Sequence, residues 1–117
     1  MPDDVVIYHN PRCGTSRKVL AKLREAGIEP RIRLYLETPP DEQELRDLLA
    51  RLGTGPRGLL RRRGTPYDEL GLDDPGLGDD ALIAAILEHP ILIERPIVVT
   101  PKGARICRPP EVVEVLL

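Results

Sequence analysis

The residues best suited to chemistry cluster at the end of the first apolar run. Cys13 lies in Tyr8-His9-Asn10-Pro11-Arg12-Cys13-Gly14-Thr15-Ser16-Arg17, where the apolar Val5, Val6, Ile7 and Tyr8 give way to a turn and then to an amphipathic pattern. The turn delivers a thiol to the start of a helix. A helix N-terminus carries about half a positive charge and favours an anion placed there. Arg12, Arg17 and His9 all lie within four residues of the sulfur. Each should favour thiolate over thiol, and the thiolate is the nucleophile. An inert buried cysteine packs as a small hydrophobe, but Arg12 and Gly14 are not apolar flanks. Cys13 therefore reads as a reactive cysteine in an anion-friendly pocket.

Several other chemistries fail on residue type and spacing. Two cysteines and two histidines (His9 and His89), with no CxxC or HxxxH spacing, do not make a metal site, and none is expected. A phosphatase-type loop needs an arginine six residues after the cysteine, where Val19 stands. A dithiol pair would need a cysteine at Ser16, so Cys13 requires an outside thiol to complete a redox cycle. Ser16 itself reads either as a helix N-cap or as part of the site. His9 either donates to an anion and helps hold the thiolate, or caps and packs. His89 ends a helix, and Cys107, in an alternating strand, is structural.

The arginines form the second constellation. Arg95 precedes Pro96 at the start of a strand, Arg108 follows Cys107 at the end of the next, and Arg61 lies in a region of short helices. The guanidinium fork suits a tetrahedral oxyanion, which it can grip with two bonds. Position favours this role for Arg95 and Arg108. Arg62 and Arg63 read as solvated surface.

These side chains need a scaffold. The pattern predicts a strand at 5–8 and a helix at 16–26 with Val19, Leu20, Leu23 and Ala26 on its buried face, ended by Gly27. A half-exposed strand follows at 31–36 and a helix at 41–52. Residues 57–78 read as short helices and loops, and 79–88 as a helix. A strand at 97–100 turns through Pro101, Lys102 and Gly103 into another at 104–107, and a last helix starts at Pro109-Pro110. The order β-α-β-α-(short helices)-α-β-β-α predicts an α/β fold of thioredoxin-like (glutaredoxin-like) type. It is a three-layer α/β/α sandwich with a mixed four-stranded sheet and a helical insertion at about 41–90, all one domain over 1–117.

Composition agrees with one small globular domain. The chain has 117 residues, 41% of them hydrophobic, and a formal charge of −2. Without Phe or Trp and with three tyrosines, it lacks an aromatic platform for bases, and its charge gives no reason to expect nucleic acid. The core must be Leu, Ile and Val. No apolar stretch approaches the roughly 20 residues needed to cross a bilayer, so no membrane association is expected. The start, Met1-Pro2-Asp3-Asp4, does not read as a signal peptide. Two distant cysteines are too few for a disulfide-stapled secreted domain, so the cytoplasm is the expected compartment, and a monomer is expected.

The run from Ile7 to Arg17 resembles the active-site segment of the glutaredoxin-coupled bacterial arsenate reductases. So do Leu34-Tyr35-Leu36-Glu37-Thr38-Pro39-Pro40, Leu59-Leu60-Arg61, the run from His89 to Thr100, and Cys107-Arg108-Pro109. The resemblance covers nearly the whole chain in order. It implies reduction of arsenate to arsenite with glutathione as co-substrate, glutaredoxin as partner and no bound cofactor. It places the nucleophile on Cys13, the nearby histidine on His9, oxyanion-binding arginines on Arg61, Arg95 and Arg108, and a cis-proline on Pro96. Arg12 and Ser16 complete the expected catalytic set. Two other classes share this scaffold: a general glutathione-dependent thiol oxidoreductase, and an Spx-like regulator that binds RNA polymerase. A regulator of that kind often uses the CxxC that Ser16 interrupts.

Overall fold

Two parts of the chain, 1–38 with 95–117 and 39–94, form compact units of their own. The computed structural model describes residues 4–117; Met1, Pro2 and Asp3, and with them most of the signal-peptide reading, lie outside the described residues.

In the first unit, β1 (Val6–Tyr8) leads through the Cys13 loop into α1 (Gly14–Glu25) and then β2 (Arg31–Arg33). After a break in sequence come β3 (Ile97–Thr100), β4 (Gly103–Ile106) and a 3-10 helix, Pro110–Leu116. The strands make one mixed sheet in the order β2-β1-β3-β4. β1 and β2 are parallel, while β3 runs antiparallel to β1 and to β4. This is the thioredoxin-like plan. Val5, Ile7 and Val98 point from the sheet into a core shared with Val19, Leu20 and Leu23 of α1 and with Val113 and Leu116 of the last helix. The opposite face carries Tyr8 and Ile97, also buried.

Helix α1 closes where expected. Gly27 takes a left-handed φ of 81°, and the Ile28 N–H folds back onto the Leu23 carbonyl at 2.9 Å. Its start differs from the sequence reading: the N-cap residue is Cys13, not Ser16. Ser16 is already inside the first turn and fully buried.

Two other elements depart from expectation. β2 is only three residues long, because residues 35–37 turn and the Glu37 N–H bonds the Leu34 carbonyl at 2.9 Å. Tyr35 is wholly buried as the chain turns. The alternation read over 31–36 was thus partly a buried turn residue in strand-like phase. The last helix is 3-10 throughout; the Pro109-Pro110 pair removes two N–H donors from its start, and Val113 and Leu116, three apart, match a 3-10 repeat.

The second unit holds α2 (Glu42–Leu52), a 3-10 turn (Pro56–Leu59), α3 (Asp79–Glu88) and a second 3-10 turn (Pro90–Leu92). Asp41 caps α2 by accepting from the Glu44 N–H at 2.9 Å, and Gly53 ends it at φ 70°. Leu45, Leu48, Leu59, Leu82, Ile86 and Leu92 form its interior. Leu60 and Ile93 pair as an isolated antiparallel bridge. The Arg61 N–H bonds the Leu92 carbonyl at 2.7 Å and the Glu94 N–H bonds the Leu59 carbonyl at 2.8 Å.

Leu23 has no exposed surface in the first unit's core. Leu23→Ala should destabilise the protein by about 3 kcal/mol, the usual cost of an unfilled leucine cavity, read as a lowered urea midpoint with an unchanged slope.

Candidate active site

The loop before α1 is built by Asn10. Its carbonyl accepts the Cys13 N–H at 2.9 Å, its side-chain oxygen accepts the Arg12 N–H at 3.0 Å, and its own N–H donates to Ser16 Oγ at 3.1 Å. Arg17 reaches back from α1 to the Pro11 carbonyl at 2.8 Å. Ser16 Oγ also bonds His9 Nδ1 at 2.6 Å. The backbone is therefore pinned from His9 to Arg17, and the pinned segment carries Cys13 half-exposed at the helix start.

The sulfur stands where an N-cap acceptor would. No full side-chain cap bond forms, yet the Ser16 N–H three residues on still favours the ionised sulfur. From the far end of the chain, Arg108 Nη1 approaches Cys13 Sγ to 3.6 Å. The same nitrogen donates to the Arg95 carbonyl at 3.0 Å, and the Arg95 guanidinium also favours the ionised sulfur. Nε and Nη1 of Arg95 are shielded from solvent. Both arginines precede cis prolines, Pro96 and Pro109; only the first was expected.

These contacts set the charge on Cys13. Partial burial disfavours the thiolate, but the Ser16 N–H, the hydrogen bonds from Arg95 and Arg108, and the Arg95 charge outweigh it. The thiol is held below its ordinary value. Arg12 and Arg17 are not among the groups responsible, so the local basic neighbours do not do what their spacing suggested. Arg12 is exposed, and its contribution to the loop is its backbone N–H.

His9 corrects a second expectation. Burial, and then the charges of Arg24 and Arg17, push its imidazole below the usual value, so it is neutral at pH 7. It adds no positive charge beside the thiolate and acts instead through Ser16. Cys107 is wholly buried and its thiol is pushed up to about 11, chiefly by burial. Both cysteines are free thiols. Arg61, in the second unit, donates from Nη1 to Glu94 Oε1 at 2.9 Å and from Nε to the Arg63 carbonyl at 3.0 Å. Arg62 pairs with Asp68 at 2.7 Å and lies over Tyr67, as a surface residue would.

The sequence pattern of the ArsC family matches residues 8–116, from the strand before the loop to the end of the last helix. The chain belongs to the ArsC family. An arsenate reductase of Escherichia coli is 56% identical over 110 residues, 94% of this chain and 78% of that protein. The protein YfgD of Escherichia coli (strain K12), described as uncharacterized, is 53% identical over 112 residues, 95% of this chain and 94% of its own. The structure of an arsenate reductase from Vibrio cholerae matches with a TM-score of 0.92 and 52% identity over 97% of both chains.

Sequence reasoning missed Asn10 as the organiser of the Cys13 loop and, within the second unit, Glu94 as the partner of Arg61. The Asn10-Pro11 pair is a turn signal that could have flagged the loop's organiser. Glu94 gave no signal beyond adjoining Arg95.

The two thiols should separate by reactivity. Iodoacetamide should alkylate Cys13 with a rate-versus-pH midpoint below the free-thiol value of about 8.5, and Arg95→Gln or Arg108→Gln should move that midpoint upward. Cys107 should stay unlabelled until the protein unfolds. The stability signs are opposite. The Cys13 contribution is complete above the unfolded value of about 8.5 and fades as pH falls through the lower folded one. The Cys107 contribution is complete below that unfolded value and is lost as pH rises toward about 11.

Proposed function

We propose that this protein is an arsenate reductase that forms a Cys13–arsenate adduct and takes its electrons from glutathione, with glutaredoxin as the recycling partner. The observation that carries this reading is the thiolate of Cys13 under the guanidinium of Arg108, 3.6 Å away, with Arg95 beside it. The family match and the arsenate reductases at 56% identity support it. Two guanidinium groups at the sulfur would also activate a thiol oxidoreductase for ordinary disulfides, but they offer in addition the planar forks that suit a tetrahedral oxyanion, and the Spx-like reading leaves them unexplained.

Arsenate and thiolate are both anions, so their approach is unfavourable unless fixed positive groups take up the charge. Donors already in place are worth far more than donors that must reorganise. Arg95 and Arg108 meet this need. The Cys13 sulfur then bonds arsenic as an As–O bond breaks, and the oxygen leaves as water with protons from solvent. Glutathione attacks the adduct. A disulfide forms between its sulfur and that of Cys13, and the S–As electron pair stays on arsenic, taking As(V) to As(III). Arsenite leaves. The glutaredoxin thiolate attacks the glutathione sulfur of the mixed disulfide and returns Cys13 as thiolate. With Ser16 in place of a second cysteine, the resolving thiol must come from outside.

His9 and Ser16 hold the loop, and His9, being neutral, leaves the positive charge to the arginines. No described helix is long and apolar enough to cross a membrane. Two free thiols fit a reducing compartment, which supports the cytoplasm. A nucleophile and arginines drawn from one chain support a monomer.

Arsenate-dependent NADPH oxidation, coupled through glutathione, glutaredoxin and glutathione reductase, tests the assignment. Cys13→Ser should fall to background. Arg108→Ala should lose roughly a hundredfold in kcat/KM, the usual effect of removing one donor to a developing anion. Full turnover by Cys13→Ser would refute the proposal.

A further inference from the structure

The run Leu34-Tyr35-Leu36-Glu37 is one of the segments that carry the resemblance. The turn it makes after β2 forms one wall of a cleft of about 280 Å³. Pro11 and Arg12, from the loop that ends in Cys13, form the other. Arg12 and Glu37 bring opposite charges to this cleft, and both are exposed. Among the described residues, neither side chain has a hydrogen-bond or ion-pair partner. Between them Leu34 and Leu36 supply apolar surface, Leu36 being 44% exposed.

We propose that this cleft binds glutathione, with Arg12 on a carboxylate, Glu37 on the α-ammonium, and Leu34, Leu36 and Pro11 against the cysteinyl methylene. The proposal rests on the reductase reading above and gives its electron donor a place. Glutathione presents carboxylates at both ends, an ammonium at one, and a thiol on a short apolar arm between. An arginine fork grips a carboxylate in its own plane, and a carboxylate accepts from an ammonium. The volume is near the lower end of cavities that hold small ligands, from roughly 300 Å³ upward, which suits a tripeptide. Arg12 adjoins Cys13 in the chain, so a thiol bound here is delivered to the loop that bears the adduct. In the step it serves, the glutathione sulfur bonds the Cys13 sulfur, the S–As pair remains on arsenic, and the thiol proton passes to solvent.

Two full-length variants, Arg12→Glu and Glu37→Lys, test the site. In the coupled assay each should raise KM for glutathione about fivefold, the worth of one partly exposed charge contact. For Glu37→Lys, KM for arsenate and kcat at saturating glutathione should not change, and neither should the rate with dithiothreitol, which has no charged ends. A second arm needs no arsenate. Oxidised glutathione converts Cys13 to its mixed disulfide and releases one glutathione, a reaction followed by mass spectrometry. Both variants should slow it about fivefold and leave the reaction with uncharged hydroxyethyl disulfide unaltered. Glu37→Lys is the sharper probe, because it makes the surface more positive and would speed attack by anionic glutathione if net charge alone mattered. Equal slowing with charged and uncharged reagents, no slowing with either, or a faster Glu37→Lys would overturn the assignment. Failure of the wild type to reduce arsenate would count against the reductase reading while the disulfide arm still decided the cleft.

Discussion

Everything at this site depends on keeping a partly buried sulfur ionised. Burial alone pushes the Cys13 thiol toward neutrality, and the local sequence does not reverse it: Arg12 and Arg17, for all their proximity in the chain, leave the sulfur's charge to others. The reversal comes from one backbone N–H in the first turn of α1 and from two guanidinium groups at the far end of the chain. The loop, the helix start and the β3–β4 hairpin must all be in place before the thiolate is favoured beyond its level in a free cysteine. Activation of the thiol therefore comes with folding.

The hairpin explains how residues so distant meet. Its register pairs Ile97 with Ile106. The next step outward holds as well, because the Cys107 N–H bonds the Pro96 carbonyl at 2.9 Å. Beyond it the Arg108 side chain bonds the Arg95 carbonyl, which holds the two ends of the hairpin together. The tight turn at Pro101 and Lys102 thus decides which residues face each other at the open end, since hairpin register follows from turn geometry. A one-residue slip would turn one arginine away from the sulfur. The two guanidinium groups are coupled through backbone, so neither is free to drift when the other shifts.

Much of this was legible in the chain. The β-α-β and β-β-helix halves followed from periodicity and from glycine and proline punctuation, and the core from the Leu, Ile and Val positions that the structure buries. The hairpin turn was read correctly. What could not be read was direction. Spacing placed Arg12, Arg17 and His9 near the sulfur but could not show that Arg17 turns back to Pro11, that His9 is too buried to carry charge, or that Ser16 is a residue inside the helix and not its cap. Each failure has one cause: sequence proximity fixes how far apart two Cα atoms lie, and the backbone conformation between them decides where the side chains go.

A neutral histidine in so cationic a neighbourhood is a consequence of the same electrostatics. Burial opposes a positive charge at His9, and the charges of Arg24 and then Arg17 raise the cost further. A protonated imidazole would lower the thiol further, but a thiolate made too stable is a weaker nucleophile, since nucleophilicity falls with basicity. The Ser16 N–H and two arginines already lower the thiol, and both arginines remain to meet an incoming oxyanion. His9 can then be spent on geometry. Its bond to Ser16 Oγ, shared with the Asn10 N–H, fixes the turn of backbone whose N–H favours the ionised sulfur. Charge and position are supplied by different residues, so the site can be strongly positive without leaving the nucleophile inert.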